Sequence, residues 1–386
     1  MGKLHQYSLF AFYGLVFVTS GITSFTPKYF GEIGMSDAQI GILTSVPAIV
    51  GIFFQTTWGV ISDRVQYKRN ILIFSTLIGG ALYFLTGLAS GFWLILIGMT
   101  AINLMILPVT PVSAAISLEY TKHNGKSFGP IRMSGTIGYQ VGALAIGFIL
   151  TSSLKGVFQI IGILMMLCAG VAVFLPPVEG HQHSGEKVSF FILFKNKKLL
   201  MLLLISFIAC TSSAFYMSFF TKHLGDIGIG NGATGIITVI SVILEIPFLV
   251  FSQRLYKKLS IWHWLLIGLI LNGIRWIGLG FATEIGWVIA ANIPAVSIMA
   301  CFEFFPALYI NDHTPDALKG SAQSLLSLTT FGVTKITGSL LGGFLSNAIG
   351  IPAVFIILGI ILLVFAVVFI IPCRRMIRAD RTEEEI

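Results

Sequence analysis

Charge is scarce in this chain. Asp, Glu, Lys and Arg make up 10% of its 386 residues and hydrophobic residues make up 55%, whereas a soluble domain carries roughly 25% charge. A water-soluble core cannot absorb that much apolar surface. Cysteine is scarce too: the four, Cys168, Cys210, Cys301 and Cys373, form no CxxC or metal-like spacing. That excludes a zinc framework and argues against structural disulfides. HExxH and P-loop patterns are missing, as are clustered His and Asp, so metalloprotease and nucleotidase chemistries lack their residues and no catalytic residue is assigned. The apolar run at the amino end continues to Phe30 without a small-residue cleavage site, and it reads as a first membrane span rather than a leader.

What the chain has instead is long runs free of charge, from Leu4 to Thr26, Ala38 to Ser62, Asn70 to Leu118, Met133 to Leu154, Gly156 to Val178 and Leu199 to Thr221. Each holds one or two spanning helices of about 20 residues. With Gly, Pro and charge clusters as punctuation, spans are expected near 7–30, 38–61, 70–89, 92–118, 129–152, 156–176, 199–221, 233–252, 261–282, 285–310, 321–347 and 351–372. The expectation is an all-α membrane protein with twelve transmembrane helices.

A net charge of +8 points toward nucleic acid only when the basic residues share one soluble face, and here they are dispersed among loops. If the amino end is cytoplasmic, eighteen Lys and Arg fall on that side, and only Lys28, Lys155 and Lys222 fall on the other. This positive-inside bias sets both termini in the cytoplasm and calls for an even number of spans in an inner or plasma membrane. The longest polar segment, residues 177–198, reads as a cytoplasmic linker between bundles 1–176 and 199–373, followed by a cytoplasmic tail over 374–386. His181 and His183 in that linker have no Cys or carboxylate partners, so no metal site is assigned.

The halves carry a weak repeat. Gly142, Gly147 and Pro176 recur as Gly338, Gly343 and Pro372, always 196 residues apart, which makes Tyr139 and Lys335 equivalent positions. Arg132, Glu245, Arg275, Glu303 and Lys335 sit inside otherwise apolar runs. There an unpaired charge costs at least ~2.5 kcal/mol, so these groups should face one another or a polar cavity. The alternative is a set of ion pairs that only holds helices together. Tyr139 follows Arg132 by seven residues, two helical turns along the same face. Glu245 precedes Pro247 and Glu303 precedes Pro306; the prolines free backbone carbonyls and bend helices toward a cavity. A buried carboxyl whose cationic neighbours move alternates between protonated and ionised, the minimum equipment for proton coupling.

The segment GVISDRVQYKR, Gly59 to Arg69, resembles the G-x-x-x-D-R-x-G-R-R loop of the major facilitator superfamily. Gly59, Asp63, Arg64, Lys68 and Arg69 are in place, whereas Gln66 and Tyr67 depart from the pattern. NLMILPVTP, FGPIRMSGTIGY, LEIPFLVFSQRLYKK and NGIRWIGLGFAT look like spans four, five, eight and nine of its phenylpropionate permease branch and the related lactose permease-like oligosaccharide symporters. The resemblance implies the major facilitator fold of two six-helix bundles and a gating role for the Gly59 to Arg69 loop. It implies solute contacts for Arg132, Tyr139 and Glu245, and proton coupling for Arg275 and Glu303; Lys335, the other charge within a span of the second half, is expected to manage the proton with them. Ala114 stands where lactose permease has a second sugar-binding Glu, and Ser113 replaces an Asp typical of the phenylpropionate branch, so galactoside specificity does not carry over.

The expected function is symport of a small organic solute with protons by alternating access, a sugar or oligosaccharide foremost and a small aromatic or organic acid next. A proton-driven exporter of lipophilic compounds and a non-transporting membrane scaffold are the rivals. The expected partners are solute, protons and lipid, with no cofactor beyond the proton gradient, no nucleic acid and a monomeric state.

Overall fold

A computed structural model describes residues 2–178, 196–243, 255–256 and 258–384. Among the described residues every regular element is helical. In chain order these are α1 (Leu4–Glu32, with a turn at 24–25), α2 (Asp37–Arg64), α3 (Lys68–Thr86) and α4 (Phe92–His123, with a turn at Pro108). Then come α5 (Gly129–Ile149), α6 (Val157–Ala172), α7 (Lys197–Asp226) and α8, described over Asn231–Ile243. The last are α9 (Ile261–Gly280), α10 (Ile285–His313), α11 (316–349) and α12 (Ile351–Glu384). The segment after span twelve, read as a tail, is a helical continuation of α12 through Pro372 to Glu384.

Local chemistry sets the boundaries. Ser36 opens α2 with a reciprocal cap, its hydroxyl accepting from the Gln39 N–H at 3.3 Å while its own N–H donates to Gln39 Oε1 at 3.0 Å. Gly350 separates α11 from α12 with φ of 85°, a conformation only glycine adopts freely, so the chain reverses within one residue. Eight of these helices are long and apolar enough to cross a membrane, and α6 is a shorter apolar helix. Phe53 and Trp93 are each 72% exposed and Val367 is 67% exposed. A water-soluble surface does not present apolar side chains on this scale, whereas a lipid-facing one does.

The chain divides into two compact units, Met1–Gly185 with Leu224–Thr238, and Glu186–His223 with Val239–Ile386. In the first, α1 packs along α5 and α3 along α6; in the second, α9 packs along α12. These crossings are close because glycines face backbone. A Cβ at Gly80 would lie 2.7 Å from Gly162 O, and one at Gly162 equally close to Gly80 O. In the second unit, a Cβ at Gly359 would lie 2.6 Å from Gly273 O. Gly142 faces Val18 O on α1, and its repeat partner Gly338 faces Thr211 O on α7. In bilayers, where hydrophobicity does not drive helices together, small residues that admit such approaches hold them.

Residues 224–238 are tied into the first unit by polar contacts. Lys28, assigned by sequence to the outer loops, is buried within α1 and donates to Ile229 O at 2.9 Å. Asn231 Nδ2 donates to Leu150 O at the end of α5, at 2.6 Å.

Candidate solute site

The second unit encloses a cavity of about 230 Å³ between α7, α9, α10 and α11. Arg275, Glu303 and Lys335, three of the five ionisable groups picked from apolar runs, all line it. Its other walls are mainly apolar, with Met217 from α7, Ile298 and Met299 from α10, and Phe331 from α11.

Arg275 is 4% exposed and firmly held. Its Nε and Nη2 donate to Asn292 Oδ1 at 3.2 and 2.8 Å, and the guanidinium lies 4.4 Å from the Tyr216 ring centre and 4.5 Å from that of Trp276. The Tyr216 hydroxyl donates to the same Oδ1 at 3.3 Å, and Asn292 Nδ2 donates to Val288 O at 2.8 Å, which fixes the amide. Cation–π contact with two rings and a charge-assisted hydrogen bond stabilise a buried guanidinium in one geometry.

Lys335 is held differently. Its Nζ donates to Ser218 Oγ at 2.9 Å. Ser218 Oγ donates to Ala214 O at 2.8 Å and lies 2.7 Å from Ser339 Oγ. A hydroxyl gives an ammonium dipolar solvation but no compensating charge.

Two π-helical turns shape the cavity. Ala300–Phe304 carries Glu303 in α10, and Leu328–Val333 carries Thr330 and Phe331 in α11 just before Lys335. Each π turn rotates the side chains that follow relative to a regular helix, and such insertions concentrate at functional sites. Pro294 and Pro306 flank the α10 turn; the first lies in a 3₁₀ segment, Ile293–Ala295, that loosens the same helix.

The remaining expected site residues lie elsewhere. Arg132 and Tyr139 belong to the first unit, on α5. Arg132 is exposed, with its guanidinium 4.9 Å from the centre of the Phe17 ring, and Tyr139 is half-buried. Glu245 lies outside the described residues, as do His181 and His183. Gly59 and Arg64 fall at the end of α2, Lys68 and Arg69 at the start of α3, and the Asp63 side chain is not among those described. Arg69 donates to Leu175 O at 3.2 Å and the Lys68 N–H donates to Val178 O at 2.9 Å, so the loop is stitched to the chain beyond α6. Gly59 and Lys68 also line a second cavity, about 240 Å³, with Trp58 and Pro108. Sequence reasoning missed Asn292, Tyr216 and Ser218. Polar but uncharged residues are common in membrane helices, and none of the three stands out in its run.

Comparison with known proteins agrees with this architecture. The uncharacterized transporter YwbF of Bacillus subtilis is 27% identical over 93% of this chain and 90% of its own length. The maltose permease of Geobacillus stearothermophilus is 21% identical over 89% of this chain and 88% of its own. The crystal structure of the nucleoside transporter NupG superposes with a TM-score of 0.85 at 18% identity, covering 94% of this chain and 97% of that one. An all-helical, multi-pass membrane protein with these relatives is a transport protein, not an enzyme. Residues 6–357 match the model of the MFS_1 like family, and the chain belongs to that family of major facilitator transporters.

Proposed function

We propose that this protein is a secondary active transporter of the inner or plasma membrane, a symporter that takes up a small organic solute together with protons by alternating access. In this reading α1 to α12 all cross the bilayer and both termini are cytoplasmic, as the bias of basic residues toward one side favours. Sugar and nucleoside transport are the activities named for two of its relatives. The observation that carries the reading is the cavity that gathers Arg275, Glu303 and Lys335 from α9, α10 and α11. Ionisable groups inside a membrane protein are expensive unless they serve solute or ion movement.

Glu303 is the exchangeable carboxyl in this scheme. It rides on a π turn beside a proline, where backbone adjustment is cheap, and it shares the cavity with two cations. Arg132, Tyr139 and Glu245 contribute solute contacts in this scheme. The test is uptake by proteoliposomes under an imposed inward proton gradient, with labelled maltose, uridine and phenylacetate offered in parallel. Wild-type protein should concentrate at least one of them. Glu303→Gln should lose gradient-driven accumulation yet keep exchange of solute already present on both sides; accumulation at the wild-type level in that variant removes Glu303 from the coupling role.

A further inference from the structure

We propose that the solute is a small organic acid with an apolar body, and that the Lys335 ammonium is the counter-ion of its carboxylate. This rests on the reading of the second-unit cavity as a solute site. The two cations of that cavity differ in what they have left to offer. Arg275 is committed: Asn292 accepts from it twice and two aromatic rings cover it. Glu303 likewise has an interaction of its own.

Lys335 has three N–H donors and, among the described residues, one acceptor, the Ser218 oxygen. That oxygen is saturated. It donates to Ala214 O, and its remaining lone pair is taken by the neighbouring Ser339 hydroxyl. Two ammonium protons are therefore left without an acceptor among the described residues, at the edge of a cavity that lies open beside them. A carboxylate satisfies both donors and the charge together.

The walls decide the rest of the molecule. Met217, Ile298, Met299 and Phe331 offer flexible thioether, branched aliphatic and aromatic surface; of the uncharged hydroxyls in the lining, that of Tyr216 is engaged with Asn292, and Ser213 and Thr330 carry the others. A sugar presents hydroxyls all around its ring and needs polar partners on most sides. An aryl or alkyl body needs none, and it gains from the apolar contact.

The experiment is thermal unfolding of the purified protein with matched acid and neutral probes, phenylacetate against phenylacetamide and glucuronate against glucose. Phenylacetate should raise the unfolding temperature, and neither phenylacetamide nor glucose should. Lys335→Met should weaken phenylacetate binding by at least about tenfold, and Lys335→Arg should retain most of it. Without any probe, Lys335→Met should unfold at a higher temperature than wild type, because it replaces a half-buried cation that has no counter-charge among the described residues with an apolar chain of similar length. A lysine locked in a structural ion pair gives the opposite sign. Equal stabilisation by the neutral probes, an acid effect intact in Lys335→Met, no acid effect at all, or a lower unfolding temperature for unliganded Lys335→Met each overturn the proposal. The Glu303→Gln flux result is read separately: acid binding that persists without proton-driven accumulation refutes the coupling scheme and leaves this inference standing.

Discussion

Four hydrogen bonds converge on one small side chain: Asn292 Oδ1 accepts from Arg275 twice and from Tyr216 once, while its Nδ2 is anchored on Val288 O. Removing the amide leaves a buried guanidinium short of an acceptor, and a lost hydrogen bond to a charged group costs about 1.5–3 kcal/mol. Asn292→Ala should therefore lower stability by about that amount, read as a shift in the midpoint of thermal or denaturant unfolding, and loosen Arg275 from its place between the rings. Unchanged stability would mean that the guanidinium's other contacts hold it without the amide. At this scale the sequence is informative in one direction only. Arg275, Glu303 and Lys335 are legible because a charge in an apolar run is costly and must be explained. Their neutral partners cost little wherever they sit, so nothing in the sequence marks which amide or hydroxyl each cation meets.

Glycine placement governs the helix crossings. Gly162 on α6 faces the Gly80 carbonyl of α3, and Gly359 on α12 faces the Gly273 carbonyl of α9. A methyl group at either point must push two helices apart, so Gly162→Ala and Gly359→Ala should each destabilise by about 1–3 kcal/mol. Gly170, further along α6, has open space where its Cβ would be. Gly170→Ala should be neutral or stabilising by up to about 1 kcal/mol through helix propensity. Unfolding midpoints of the three variants in one detergent check the contrast, and equal effects at all three sites would show that packing is not the cause. The same crossings explain the faintness of the repeat. Gly142 and Gly338, 196 residues apart, keep a constant offset and face α1 and α7 alike. The pairs Gly80 with Gly273 and Gly162 with Gly359 play equivalent roles at offsets of 193 and 197, so a search at fixed spacing passes over them. The π turns of α10 and α11 were not legible either, since a single inserted residue in an apolar helix changes no composition or period that a sequence reading detects.

Across the whole molecule the orientation is open to direct test, because Cys168, Cys210, Cys301 and Cys373 are all buried and give little background to a thiol reagent. Ser152 and Lys122 are exposed beyond opposite ends of α5. Ser152→Cys should react with a membrane-impermeant maleimide on intact cells, and Lys122→Cys only after permeabilisation. The reverse pattern would invert the proposed topology. The sequence by itself determined that the chain is helical and lies in the membrane, and it picked out which charges demand explanation. Those conclusions follow from composition and run length, because a bilayer core penalises every unpaired polar group wherever it occurs. Only the tertiary structure decided that Arg275, Glu303 and Lys335 share one cavity and that residues 224–238 pack with the first unit. Those facts depend on which helix faces meet and how closely glycines let them approach, and that geometry is a property of pairs of helices that no single stretch of sequence contains.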